Sequence, residues 1–449
     1  MARETWTGRF GFVMATAGFA VGLGNIWRFP YLAGMNGGGA FLVLYLAFAL
    51  LIGIPLLTIE VGLGRKARRT PIAGMARLTG SLWRPWSGIG WLAVAAAVLI
   101  QSYYVMVIGW IVGSFVQGVT QGFGGESPEA LAANFAQLVA SPGPVLGYTA
   151  VVMVLLAAIV GLGLRAGLER LAKVAMPVLL VLLVGLAVRA LTFPGADEGL
   201  RWYLTPDFSA LDGPTALAAL GQAFYSIGIG MAAAFAFGSY LDPERSNVPG
   251  DSAVVVFFDT AIAVLAGLVI FPALFAFGMA PDQGPGLLFV TLTGLFGAMP
   301  AGQVFGTVFF VLLLLAALTS AGALHEVLTS TLTDLVPLRR RWASWGVAGA
   351  VFVLSVPIVL SQGPWSHLRV AGMDLFTLAD TVSGNVLLPL GGLAMVLYTI
   401  FVWGFDAFRA ELAQGATWLR VGGLWKPLVL GVIPVAVVAV LLAGLGVLG

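Results

Sequence analysis

The chain contains no cysteine, which excludes disulfide staples and thiolate chemistry. Histidine is almost as scarce. His325 and His367 lie far apart, and His325-Glu326 lacks the second histidine of a zinc-protease motif. Charge is sparse as well: 9% of the 449 residues are charged, whereas 59% are hydrophobic. At a mean hydropathy of +0.99, no soluble domain of this length fits. The composition is that of an all-α polytopic membrane protein. The isoelectric point near 9.0 is not a nucleic-acid signal, because the basic residues cluster in short loops. The first apolar run lacks a small-residue cleavage site and continues into Arg28, which argues against a cleavable signal peptide. With no thiol, no metal-ligand cluster and no histidine beside an evident nucleophile, the chain does not read as an enzyme.

What the chain has in abundance is apolar runs long enough to cross a bilayer. About eleven can be read, at 11–35, 40–64, 88–117, 144–163, 168–191, 215–240, 252–278, 303–335, 343–360, 374–404 and 426–448. Lysine and arginine orient them. With the N-terminus inside, all 22 basic residues except Arg28, Arg189, Arg201 and Arg369 fall on the inner side. The positive-inside rule then predicts a cytoplasmic N-terminus, and an odd number of spans puts the C-terminus outside. Two outer loops stand out. Residues 192–214 hold Pro194, Pro206 and Pro214 and are expected to pack on the outer mouth. Residues 279–302 hold Pro281, Pro285 and Pro300, and their middle, Gly286 to Phe296, is apolar enough for a re-entrant hairpin or lid.

The first span is interrupted by Gly18, Gly22 and Gly24, beside Asn25 and Arg28. A glycine costs a helix interior about 1 kcal/mol relative to alanine. A bilayer core holds no water for the backbone groups that a broken helix frees. Two readings stand. The glycines permit close helix packing, and Gly18-Gly22 has the small-xxx-small spacing. Alternatively, freed carbonyls serve a cation or a polar solute, which Asn25 and Arg28 favour because both are costly at membrane depth. A second interrupted run, Gln222 to Met231 with Gly228 and Gly230, lies in the sixth span. Two broken helices five spans apart imply two five-helix halves of opposite orientation, meeting at a midplane site, as in secondary transporters. The halves are 1–191 and 215–404. The outer loop 192–214 joins them, and 405–449 adds a cytoplasmic loop and an eleventh helix.

Several polar side chains lie at membrane depth. Asn25 and Ser226 bring oxygens to the two breaks, where a half-helix C-terminus favours a cation. Asp259 sits in the apolar seventh span, where a carboxylate faces a cation or carries a proton. Thr319 and Ser320 either back-bond to the preceding turn or supply hydroxyls to a ligand. Hard oxygen donors suit sodium rather than a transition metal. Glu60 reads as a snorkelling interfacial charge, and Tyr103 and Tyr104 as hydrogen-bonding groups inside span three. Arg28 with Asp380, and Arg3 with Asp334, either close a central site from opposite faces or are ordinary surface pairs. Gly167 and Pro177 weaken span five, which then unwinds to admit water or simply kinks.

Trp6 to Pro30, then Asn36-Gly37-Gly38-Gly39-Ala40-Phe41, then Gly53-Ile54-Pro55 to Glu60, resemble the first two helices of the neurotransmitter:sodium symporter family. The likeness runs over nearly the whole chain and is greatest to the bacterial amino-acid transporter branch. It implies a 5+5 inverted repeat with discontinuous helices 1 and 6, two sodium ions, and alternating access in a plasma (inner) membrane. The first sodium would take the Ala20 carbonyl, Asn25, Ser226 and Asp259, together with the substrate carboxylate. The second would take the carbonyls of Gly18, Val21 and Ala316 and the hydroxyls of Thr319 and Ser320. Tyr104 and the amides near Leu23-Gly24 would hold the substrate carboxylate. Phe19, Ala20, Gly22, Ile100, Tyr225, Ser226, Gly228, Met231, Ser320 and Leu324 would complete the substrate site. Arg28, Gln222 and Asp380 match the family's outer gate, and Arg3, Trp6, Ser239, Tyr240 and Asp334 its inner one.

The departures from the family pattern carry information. Monoamine carriers place an aspartate where this chain has Gly22, so the substrate here is expected to bring its own carboxylate. Chloride-dependent members have asparagine in place of Asp259 and a chloride-binding serine in place of Ala263. Asp259 is therefore expected to supply the negative charge, without chloride and with proton return as a further hypothesis. An apolar lining, with Gly228 leaving room for a large side chain, implies a neutral hydrophobic amino acid. Two alternatives remain: another carboxylate-bearing solute, such as a betaine or a gamma-amino acid, and a sensor that binds without transporting.

Overall fold

The computed structural model describes residues 4–123, 128–281 and 287–447. Arg3 of the expected inner gate lies outside them, as does Gly286 of the expected lid. The chain opens with α1 (Arg9–Ala20) and α2 (Gly24–Met35), bent by 49° at the break between them. Four long helices follow: α3 (Gly39–Ala67), α4 (Pro85–Gln121), α5 (Pro142–Gly161) and α6 (Leu164–Leu191). A second broken pair comes next, α7 (Gly213–Ile227) and α8 (Ala233–Gly238). Five more long helices complete the bundle: α9 (Val248–Ala276), α10 (Gly302–Leu335), α11 (Arg340–Leu360), α12 (Leu375–Trp403) and α13 (Trp425–Gly444). Nine helices, plus the α1–α2 pair, are long and apolar enough to cross a membrane among the described residues. The α7–α8 pair is too finely divided to count as a span by length. The described residues contain no strand.

Both breaks have local causes. After α1, Val21 turns extended at φ −74° and ψ 100°. After α7, Gly228 and Gly230 take φ +74° and +82°, a region open to glycine. Ala232 follows at φ +66°, where an L-residue pays roughly 1–2 kcal/mol. The second break is fastened by Glu60, whose Oε2 accepts from the Gly230 amide at 2.9 Å. This corrects the expectation for Glu60. It is fully buried rather than snorkelling, because α3 brings it against the freed backbone.

Span five does not unwind. Leu164–Glu169 forms a wide π turn that runs into the α-helix Arg170–Leu191, with Pro177 inside it. Gly167 is there for close approach, since a Cβ would collide with the Ile159 carbonyl. Residues 192–214 and the described part of 279–302 pack on the bundle through short helices. In 192–214 the helix Ala196–Leu204 sets Trp202 4.9 Å from the Phe271 ring, and Tyr203 donates to the Val264 carbonyl at 3.2 Å. In 279–302 the helix Thr291–Ala298 follows a buried Leu287–Phe289 segment. Phe289 stacks on Phe135 at 4.4 Å and approaches Trp27 at 6.2 Å. The outer flank of the bundle is apolar, with Val151, Val181, Phe257, Val353 and Phe401 exposed, as a lipid-facing surface requires.

Candidate cation and substrate site

The two breaks face each other, and Asn25 joins them. Its Nδ2 donates to Asp259 Oδ1 at 2.7 Å, to the Asp259 carbonyl at 2.8 Å and to Ser226 Oγ at 3.0 Å. Its Oδ1 accepts from the Gly22 amide at 3.1 Å, a group that the break sets free. Ser226 Oγ donates to the Asp259 carboxylate at 2.9 Å. Tyr45, from α3, donates to Asp259 Oδ2 at 3.2 Å. Sequence reasoning missed Tyr45. Its only signal was one hydroxyl in the otherwise apolar stretch Gly39–Phe48. These four side chains are buried, so the carboxylate is held by amide and hydroxyl donors instead of water.

A second oxygen-rich group lies between α1 and α10. Ser320 Oγ crosses to the carbonyls of Phe19 at 2.9 Å, Val21 at 3.2 Å and Gly18 at 3.3 Å. Thr319 back-bonds within α10, to the Ala316 carbonyl at 2.9 Å. Back-bonding therefore accounts for Thr319 but not for Ser320. Helices α1 and α10 meet closely here, since a Cβ on Gly18 would stand 3.4 Å from Thr319 Cβ. The donors are all oxygens, a hard set that suits an alkali cation.

Beside both groups is a cavity of about 40 Å³. It is lined by Phe19, Ala20, Gly22, Leu23, Gly24, Ile100, Tyr104, Tyr225, Gly228, Met231, Ser320 and Leu324. Ser226 alone of the expected substrate residues is not in the lining; it turns to Asp259. The Leu23 amide donates to Tyr104 OH at 3.4 Å. A Cβ on Gly22 would stand 2.6 Å from Ser320 Oγ and 3.0 Å from Tyr104 OH, so the space beside Gly22 is walled by polar groups. One expectation is corrected. Gly228 does not leave open room, because the Phe19 ring lies where its Cβ would be.

The residues expected to form an outer gate lie near one another. Arg28 Nη1 donates to Gln222 Oε1 at 3.0 Å, and its guanidinium lies 4.5 Å from the centre of the Tyr225 ring. Gln222 Nε2 donates to the Gly24 carbonyl at 2.8 Å. Asp380 instead accepts from Tyr103 OH at 3.1 Å. Among the described residues no ion pair joins Arg28 to Asp380. Both line a second cavity of about 40 Å³, with Trp27, Tyr31 and Phe376.

At the other end, Trp6 Nε1 donates to the Phe237 carbonyl at 3.0 Å, and its ring meets that of Tyr240 edge-on at 6.0 Å. Ser239 Oγ donates to the Ala236 carbonyl at 2.5 Å. Tyr240 OH donates to Glu326 Oε1 at 2.9 Å, and Glu326 pairs with Arg340. Asp334 accepts from the Thr70 amide at 2.8 Å and from Arg69 at 3.2 Å. Glu326 and Arg340 were not anticipated, since their pairing depends on how α10 meets α11.

Two broken helices enclosing a buried, oxygen-lined site in an apolar bundle define a secondary transporter. The sodium:neurotransmitter symporter family matches residues 3–127 and 129–448. The chain belongs to that family and is a sodium-coupled, multi-pass membrane transporter rather than an enzyme. It is 36% identical to the sodium-dependent transporter YhdH of Bacillus subtilis, over 99% of this chain and 98% of that one. It is 30% identical to the human sodium- and chloride-dependent creatine transporter 1, over 92% of this chain and 72% of that one. Its fold superposes on the crystal structure of MhsT in complex with L-phenylalanine with a TM-score of 0.89. That pair is 38% identical, over 99% of this chain and all of the other.

Proposed function

We propose that the protein imports a neutral, hydrophobic L-amino acid together with sodium, and without chloride. The observation that carries this reading is the space beside Gly22, where the Tyr104 hydroxyl, the Leu23 amide and Ser320 Oγ come together. The protein places no anion of its own there, so a substrate carboxylate fits. Around it, Phe19, Ile100, Met231 and Leu324 suit an uncharged apolar side chain. The L-phenylalanine in the related MhsT complex supports the same class.

Two sodium ions travel with the substrate in this reading. One uses the Ala20 carbonyl, Asn25, Ser226, Asp259 and the substrate carboxylate. The other uses Gly18, Val21, Ala316, Thr319 and Ser320. Because the substrate completes the first set, sodium and substrate raise each other's affinity. Asp259 supplies the buried negative charge, which removes the need for chloride. Access alternates through Arg28, Gln222 and Asp380 on one side and Arg3, Trp6, Ser239, Tyr240 and Asp334 on the other. The halves 1–191 and 215–404 act as inverted repeats, with the N-terminus cytoplasmic and the C-terminus outside.

The test is uptake of radiolabelled leucine, phenylalanine and tryptophan into proteoliposomes, under an inward sodium or potassium gradient, with and without chloride. Sodium-driven accumulation that persists without chloride is the expected result. Accumulation that needs chloride would overturn the role of Asp259. Sodium-dependent binding without accumulation would make the protein a sensor. Uptake of a betaine or a gamma-amino acid alone would replace the substrate class.

A further inference from the structure

A groove at the basic end of the bundle takes no part in the transport site. Leu82, Trp83, Arg84, Pro85, Gly88 and Trp91 line it, where the turn after Pro71–Thr79 leads into α4; it is a shallow, open groove of about 410 Å³. Trp83 is 84% exposed. Its ring lies nearly parallel to that of Trp91, 6.4 Å away at 16°. Arg84 is exposed beside them, and its side chain makes no hydrogen bond or ion pair among the described residues. The groove is open at Gly88, where a Cβ would meet nothing within 4 Å.

The turn behind the groove is fastened. Ser87 Oγ donates to the Ser81 carbonyl at 2.5 Å and lies 2.6 Å from Thr79 Oγ1. Trp86 packs edge-on against Tyr398 at 5.8 Å. The groove is thus preformed, and filling it costs little ordering of the protein.

We propose that this groove holds one anionic phospholipid from the leaflet at the basic end of the bundle. Arg84 pairs with the headgroup phosphate through charge-assisted hydrogen bonds. The two indoles flank the glycerol and the first acyl carbons, at the depth where amphipathic rings are most stable. Charge complementarity selects the occupant, because the unpaired guanidinium follows Arg65, Lys66, Arg68, Arg69 and Arg77 in the most basic stretch of the chain. Inorganic phosphate would leave the aromatic walls uncovered, so the lipid is the better fit.

The test uses the full-length protein in mild detergent, with phosphatidylglycerol or phosphatidylcholine titrated and bound lipid counted by native mass spectrometry. The wild type is expected to retain one phosphatidylglycerol more tightly than phosphatidylcholine. Arg84→Gln is expected to weaken that retention about fivefold, the usual effect of one basic residue at a membrane surface. Trp83→Ala weakens it for both lipids. Trp342→Ala, which removes an indole 63% exposed elsewhere at the basic end, leaves it unchanged. Sodium-dependent substrate binding, unaltered in all three variants, shows that each is folded. Equal retention of the two lipids, or no change in Arg84→Gln, would reduce the groove to ordinary interfacial aromatics and overturn the proposal. Displacement of the lipid by inorganic phosphate at matched concentration would overturn it too.

Discussion

Asp259 is the charge around which the centre is built, and three neighbours hold it. Tyr45→Phe removes one hydrogen bond to that carboxylate. Bonds to charged groups contribute about 1.5–3 kcal/mol, so sodium-dependent substrate binding is expected to weaken by roughly tenfold or more. Equilibrium binding of labelled substrate across a sodium titration measures it, and an unchanged sodium dependence would mean that Tyr45 only packs. Asp259→Asn takes away the charge while keeping the shape. Uptake without chloride is expected to fall by at least about tenfold, and recovery on adding chloride would show that an external anion replaces the fixed one. Gly22→Ala is a smaller change with a sharper cause. Its methyl would stand 2.6 Å from Ser320 Oγ, so substrate affinity should drop while the helix content by circular dichroism stays the same.

The broken pair α7–α8 holds Gly228 and Ala232 at positive φ, and α6 starts as a π turn. Gly228→Ala forces an L-residue to φ +74°, at roughly 1–2 kcal/mol, and drives its methyl into the Phe19 ring. Lower thermal stability and loss of substrate binding are expected together. At α6, the segment before α1 acts as a strap. Glu4 accepts from the Leu164 amide at 2.7 Å, Glu169 accepts from the Thr7 amide at 3.1 Å, and Lys173 lies 2.6 Å from Glu169. Glu169→Ala should release that strap, and hydrogen exchange at Leu164–Glu169 should rise. No change in exchange there would mean that the Glu4 bond and the packing of α5 hold the π turn without Glu169.

Across the whole molecule, the end near Trp6 and Tyr240 carries a buried ion pair, and the end near Trp27 and Phe289 carries aromatic contacts. Glu326 is fully buried and receives Tyr240 OH and Arg340, which ties the segment after α8 to α10 and α11. Removing one partner of such a pair strands a charge, at about 3 kcal/mol or more. Arg340→Ala, which strands the fully buried Glu326 carboxylate, is therefore expected to lower the melting temperature well below that of Glu326→Gln, where the guanidinium left over is 22% exposed and reaches water. Equal melting temperatures for the two variants would show that Glu326 does not depend on the arginine. At that second end Phe289 and Trp27 meet, while Arg28 and Asp380 line one cavity without pairing.

Much of this was legible in the chain alone. Long apolar runs set the spans, because a bilayer accepts little else. Glycines beside Asn25 and at Gly228 and Gly230 marked both breaks, because a helix interior penalises them. The lining of the cavity was also readable, through the family pattern of Phe19 to Gly24 and Tyr225 to Met231. What the sequence could not reveal depends on which faces meet. Tyr45 reaches Asp259, and Glu60 reaches Gly230, only because α3 packs against both the α7–α8 break and α9. Phe19 fills the space at Gly228 only because α1 crosses that break. Spacing along a helix tells which residues share a face, but the partner of that face is chosen by packing across hundreds of residues. The spans and the breaks follow from local chemistry. The hydrogen bonds that hold the buried carboxylate are decided by the tertiary structure.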